Sequence, residues 1–264
     1  MSSVHFEHAG LDFAGHDVGN GPVVVFQHGM GGDEAQVAEA FPTQGFRRIT
    51  LEGRGHGQSE AGDPAQFSIA QFADDVLAFA DSRGVEKFVI GGISMGAAIA
   101  LRIAIIAPER VKALILARPA WGWDAAPENM SVYKVLPKFL ENRNLSGFQA
   151  TPLAKQFAAE APDNYVSLIR IFDKPNLEMF AKLGSAIADS GPEITEAQVR
   201  AIKAPTLVLA NAVDLIHPIA LAKKLSSAIA KSHYVEITPK AEDRTKHFTE
   251  FQATVTAFLK DNEV

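Results

Sequence analysis

Lys87-Phe88-Val89-Ile90-Gly91-Gly92-Ile93-Ser94-Met95-Gly96-Ala97-Ala98 is the stretch on which the reading of this 264-residue chain turns. The apolar run 87–90 ends in glycines, and a second run, 95–107, is apolar almost all round until Pro108 stops it. The first predicts a strand covered on both faces and the second a buried helix. Between them, Gly92-Ile93-Ser94-Met95-Gly96 predicts a sharp strand-to-helix turn. A serine on such a turn has strained backbone angles, and its neighbours two places away must be small. The turn lifts the Ser94 hydroxyl above the carboxyl edge of a sheet, beside a helix amino terminus whose free N–H groups favour negative charge. Ser94 is therefore the candidate nucleophile.

Working outward, continuous apolar runs at 22–27, 46–51, 111–117, 206–210 and 233–237 predict further buried strands. Residues 4–7 and 11–17, flanking Ala9-Gly10, predict an edge hairpin. Helical patterns at 67–83, 217–230 and 247–260 alternate with the strands. That alternation predicts an α/β fold: a mostly parallel sheet of about eight strands with helices on both faces and ligands bound beyond the strands' carboxyl ends. From Trp121 to about Thr195 no β run occurs, only helical patches at 130–140, 154–161, 164–172 and 177–188, punctuated by prolines. We expect a helical cap, 121–195, inserted after the sixth strand and not independent, over a core of 1–120 and 196–264.

Composition narrows the chemistry. The chain has no cysteine, which excludes a disulfide framework, a thiol nucleophile and a thiolate metal site. A formal charge of −6 offers no electrostatic footprint for nucleic acid or anionic lipid. No apolar run approaches about 18 residues, and no basic-plus-apolar leader is present, so a cytoplasmic chain without membrane or nucleic-acid partners is expected. A homo-oligomer is compatible with this reading. Gly53-Arg54-Gly55-His56-Gly57 resembles a dinucleotide fingerprint, but its third glycine comes one place early and no helix follows directly. With no phosphate-cradling loop and no clustered histidine spacing, neither cofactor nor metal is expected.

A serine nucleophile needs donors for the oxyanion it creates, and a base held by an acid. His28-Gly29-Met30-Gly31-Gly32 follows an early strand, so the N–H groups of Met30 and Met95 are the expected oxyanion hole. Asp214 follows the strand 206–210 and His247 follows the strand 233–237, both beyond carboxyl ends; they are the expected acid and base. Asp124 is the rival acid. His217 is read as a pocket wall or capping residue, His28 as structural, and Glu242 and Asp243 as solvated. Arg118, at the active edge, is a candidate clamp for a substrate carboxylate or a partner for Asp124 or the cap. Trp121 and Trp123 are candidate pocket residues.

With Ser94, Asp214 and His247 in the order nucleophile, acid, base, and with His28-Gly29, Arg54-Gly55-His56-Gly57-Gln58-Ser59 and Gly-x-Ser-x-Gly, the chain resembles the α/β-hydrolases over essentially its whole length. It departs from the usual pattern at Glu52, where Asp is common, and at Lys246, where Gly usually precedes the final histidine. The resemblance implies a serine hydrolase acting through an acyl-enzyme and with no cofactor; its motifs do not specify a substrate, and the aromatic-rich cap over the cleft suggests a small, partly apolar carboxylic ester or lactone. The alternatives are a C–C bond hydrolase of dienoic diketones, a cofactor-free perhydrolase, or a non-catalytic ligand receptor on the same scaffold.

Overall fold

Val24 and Phe26 are fully buried against one layer of helices, and Val25, between them, against another. This period-two division is what a strand with helices on both faces requires. The structure is a computed structural model and describes residues 3–41 and 45–262. Its strands are β1 (Val4–His8), β2 (Leu11–Gly19), β3 (Val23–Gln27), β4 (Arg47–Leu51), β5 (Phe88–Ile93), β6 (Val111–Ala117), β7 (Thr206–Ala210) and β8 (Ser232–Glu236). They form one sheet in the order β1-β2-β4-β3-β5-β6-β7-β8. Only β2 runs antiparallel to its neighbours, and every pair from β4 to β8 is parallel. The carboxyl ends of β3 and β5 to β8 therefore share one edge. The strand expected over 87–90 continues through both glycines to Ile93, which carries Ser94 to that edge.

The helices are α1 (Glu34–Ala40), α2 (Ile69–Ser82), α3 (Met95–Ile106), α4 (Val132–Val135), α5 (Pro137–Glu141), α6 (Leu145–Ala150), α7 (Pro152–Glu160), α8 (Pro162–Arg170), α9 (Leu177–Asp189), α10 (Glu196–Arg200), α11 (Ile219–Ala228) and α12 (Arg244–Asp261). Their starts follow local chemistry: Ser68 accepts from the Gln71 N–H before α2, and Asp243 from the Lys246 N–H before α12. One buried cluster unites α2, α3 and α11 with apolar side chains of α4 to α9; a second packs α1 and α12 on the other face. Between β6 and β7 the regular elements are all helical, and Pro137 divides the patch expected over 130–140 into α4 and α5. Among the described residues no helix is long and apolar enough to cross a membrane.

Among the helix boundaries that differ from the sequence expectation, two matter for the site. The last helix starts at Arg244, not at residue 247, because Asp243 caps it; α11 starts at Ile219, leaving His217 in the preceding loop. Both differences fall on histidines of the site.

Candidate active site

Ser94 sits between β5 and α3 with φ +58° and ψ −111°, a sparsely populated conformation for a residue with a side chain. Close packing holds it there. A Cβ on Gly92 would lie 2.4 Å from the Gly96 carbonyl carbon, and one on Gly96 would lie 2.3 Å from the Gln27 oxygen. Both positions therefore admit only glycine, as the Gly-x-Ser-x-Gly spacing predicts. The Ser94 side chain makes no capping bond to α3, so its hydroxyl is directed elsewhere.

It meets His217. The Nε2 of His217 lies 2.8 Å from Ser94 Oγ, and its Nδ1 lies 2.8 Å from one oxygen of Asp214. With Asp214 ionised, Nδ1 donates to the carboxylate and Nε2 accepts from the serine hydroxyl. The geometry corrects the expectation that His247 would occupy this place. His247 is buried in the first turn of α12, its backbone N–H bonded to the Asp243 carbonyl, and its Nδ1 donates to the Thr238 carbonyl at 2.8 Å. The helix and that carbonyl together set the ring's direction. His217, expected as a pocket wall or cap, instead folds back on Asp214. Its own backbone N–H donates to Asp214 Oδ1 at 3.0 Å, so the Asp-x-x-His spacing brings imidazole and carboxylate together locally. That spacing was the signal available in the sequence.

The acid loop is pinned from the cap, by two residues that sequence reasoning missed. Asn164 of α8 is buried and its Oδ1 accepts from the N–H groups of Leu215 and Ile216 at 2.9 and 3.2 Å. The Asn129 amide donates to the carbonyls of Ala120 and Ile216 at 2.9 and 2.6 Å. Val213 turns the chain into this loop with a strained φ of +62°.

Electrostatics at the loop are governed by Arg118, which leaves β6 with φ +48°. Its Nε and Nη2 both donate to Asp214 Oδ2, at 2.8 and 2.6 Å. Burial favours the neutral Asp214 carboxyl, but the Arg118 charge and the hydrogen bonds from His217 and Arg118 outweigh it and hold the group well below the usual carboxylate range. Arg118 Nη2 also lies 3.2 Å from His217 Nδ1; since Nδ1 donates to Asp214, this approach is a close cation and not a bond. Burial first, and Arg118 in addition, hold the His217 imidazole below its ordinary range despite the opposing Asp214 charge. Asp124, the rival acid, is instead exposed and paired with Lys224 at 3.1 Å.

On the other side of Ser94, Gly29 packs against the nucleophile turn: a Cβ there would lie 3.3 Å from both the Ile93 oxygen and Ser94 Cβ. Gln36 accepts from the Gly29 N–H at 2.7 Å, fixing the loop that carries Met30. Neither the Met30 nor the Met95 N–H has a hydrogen-bond partner among the described residues. His28 behaves as a structural residue. Its Nδ1 donates to the Gly29 carbonyl at 2.8 Å and its Nε2 accepts from the Gly53 N–H at 3.0 Å, a neutral tautomer favoured by burial. Glu52, where the family pattern has Asp, accepts from the Gln58 N–H at 2.7 Å, so the longer side chain still ties the loop after β4.

A cleft of about 560 Å³ opens at this edge, lined by Met30, Ile93, Arg118, Tyr133 and His247 among others. Trp121 and Trp123 do not line it. Trp121 is buried and donates to the Ser190 carbonyl at 3.2 Å, while Trp123 lies under the Lys224 ammonium, 4.1 Å from its ring centre. Both rings serve packing. Among the described residues no group of three acidic or histidine side chains is placed to hold a metal ion.

The chain is 29% identical over 230 residues to "Putative carbamate hydrolase RutD" of Klebsiella pneumoniae strain 342, covering 82% of each protein. It is 29% identical over 234 residues to the "AB hydrolase superfamily protein YisY" of Bacillus subtilis strain 168, covering 83% of this chain and 84% of that one. Its fold matches the enol-lactonase of Burkholderia xenovorans LB400 with a TM-score of 0.76 at 22% identity, over 97% of this chain and all of the other. It also matches a meta-cleavage product hydrolase, CumD, with a TM-score of 0.73 at 18% identity, over 98% of each. The sequence model of the alpha/beta hydrolase fold family matches residues 22–163, more than half the chain, and the protein belongs to that family of hydrolases.

Proposed function

We propose that the chain hydrolyses a small carboxylic ester or lactone in two acyl-transfer steps, with Ser94 as nucleophile, His217 as base and Asp214 as its orienting acid. The hydrogen-bonded series Ser94 Oγ–His217 Nε2–Asp214 carries this reading, since a serine hydroxyl attacks only when a base is poised to take its proton. His217 Nε2 accepts the Ser94 proton as Oγ bonds to the substrate carbonyl carbon. The carbonyl electron pair moves to oxygen, where the Met30 and Met95 N–H groups receive it. Collapse of the adduct breaks the bond to the alkoxide, which takes the proton from His217, and water then repeats the sequence on the acyl-enzyme. Burial and the Arg118 charge keep the imidazole neutral between steps, and the bond to Asp214 keeps it correctly turned.

Labelling with a fluorophosphonate, followed by assays on short acyl esters and lactones, tests this directly. Ser94→Ala is expected to abolish labelling and lower turnover about 10⁴- to 10⁶-fold; activity within tenfold of the parent sinks the proposal. A second reading, hydrolysis of a carbamate, is favoured by the similarity to the RutD protein. It uses the same attack on a carbonyl carbon, so a matched carbamate and ester assayed side by side separate the two. No contact in the site singles out the C–C hydrolase, perhydrolase or receptor readings.

A further inference from the structure

The cleft beside Ser94 carries a positive charge that the rest of the chain lacks. Its lining includes five cations, Arg118, Arg170, Lys174, Lys240 and Arg244, against the carboxylates Asp33, Glu39 and Asp163, in a protein whose formal charge is −6. The carboxylates are largely committed. Asp33 accepts from the Ala35 N–H at 3.0 Å to cap α1, Glu39 pairs with Arg244, and Asp163 accepts from the Ala241 N–H at 2.6 Å. Arg118, the candidate clamp, is spent on Asp214. The side chains of Arg170, Lys174 and Lys240 remain, with no ion pair and no hydrogen bond to another described residue.

Lys240 is the telling member. Arg170 is exposed, and Lys174 faces the Phe180 ring at 5.8 Å, which gives its ammonium a partial partner. Lys240 is half-buried, on the loop after β8, with His247 beside it and Arg118 as a cationic neighbour. Burial and the Arg118 charge push its ammonium below the ordinary lysine range, against the weaker pull of Asp163. An ammonium withdrawn from water without a partner costs free energy, and an incoming carboxylate offsets that cost while making a charge-assisted hydrogen bond.

We propose that Lys240 and its cationic neighbours bind a carboxylate of the substrate, so that the preferred ester or lactone is an anionic one. Lys240 lines the same cleft as Met30 and as Ile93, the residue before Ser94, and the proposal has one substrate span it with its carboxylate at Lys240 and its carbonyl at Ser94. The inference rests on the reading of Ser94 as nucleophile, and its test is built to separate the two.

The test pairs two substrates of like acyl length, 4-nitrophenyl butyrate and the mono-4-nitrophenyl ester of glutaric acid. The ratio of kcat/KM, anionic over neutral, is expected to exceed one in the parent, to fall about tenfold or more in Lys240→Met, and to persist in Lys240→Arg. Raising salt from about 0.01 to 1 M narrows it, as screening requires. A parent ratio at or below one, or equal losses on both esters in Lys240→Met, overturns the proposal. Calorimetry with glutarate needs no turnover. Glutarate binding that Lys240→Met abolishes, in a protein inert to both esters, keeps the anion site and removes the esterase reading. Ester turnover without glutarate binding keeps the esterase reading and removes the anion site.

Discussion

Two loops each deliver a histidine to the active edge of the sheet, and they do so differently. The loop after β7 carries Asp214 and His217 within three residues, and side chains from the cap, Asn129 and Asn164, bond its backbone. The loop after β8 is tied through Asp163 to the Ala241 N–H and ends in a helix that captures His247 in its first turn. His217 therefore faces a carboxylate and a serine, and His247 a neutral peptide carbonyl. An imidazole on a carboxylate gains a counter-charge when it accepts a proton; one on a carbonyl gains only a dipole. Which histidine can serve as base thus depends on what anchors each loop, not on which strand the loop follows.

The sharpest way to break this contrast is to remove each ring in turn. His217→Ala is expected to lower turnover of a short ester by about 10⁴-fold or more, and His247→Ala by less than about tenfold. The reverse order in steady-state kinetics would return the base to the loop after β8. A smaller effect sharpens the role of Arg118. The base acts in its neutral form, so the acid limb of the kcat/KM profile reports the imidazole's titration. Arg118→Met removes the cation next to His217 and is expected to move that limb to higher pH; a shift to lower pH, or none, would mean that Arg118 acts through position alone.

The smallest effect is on stability. His28 and His217 are held below the ordinary imidazole range, and burial together with the neighbouring His28 lowers His56 from 6.5 to about 3. As pH falls below about 6.5, the unfolded chain takes up protons before these folded rings do, so stability is lost with acid and recovers toward neutrality. The melting temperature should drop by about 5 °C between pH 7 and pH 5, and differential scanning calorimetry showing no drop would contradict the buried neutral rings.

Much of the frame was legible because it is written in short-range terms. Apolar runs such as Val111–Ala117 and Thr206–Ala210 mark buried strands by their own composition, and both came out at the expected bounds. Gly92 and Gly96 mark the turn because a Cβ at either collides with fixed backbone. Trp121 and Trp123 were not legible: an aromatic ring in a helical segment reads the same whether it faces a ligand or, as here, a Ser190 carbonyl or the Lys224 ammonium. The cap's anchoring role was equally silent, since Asn164 acts on residues 51 and 52 positions away in the chain.

Local chemistry, then, was enough to settle the strand–helix alternation, the position of Ser94 on its turn and the place of Asp214 after β7. Those depend on neighbours within a few residues, where sterics and periodicity leave few options. The choice between His217 and His247, the diversion of Arg118 to Asp214 and the unpaired state of Lys240 depend on contacts made across the sheet edge and the cap. The Asp-x-x-His spacing pairs His217 with Asp214 locally, but only the folded chain brings that pair to Ser94 and turns His247 to the Thr238 carbonyl.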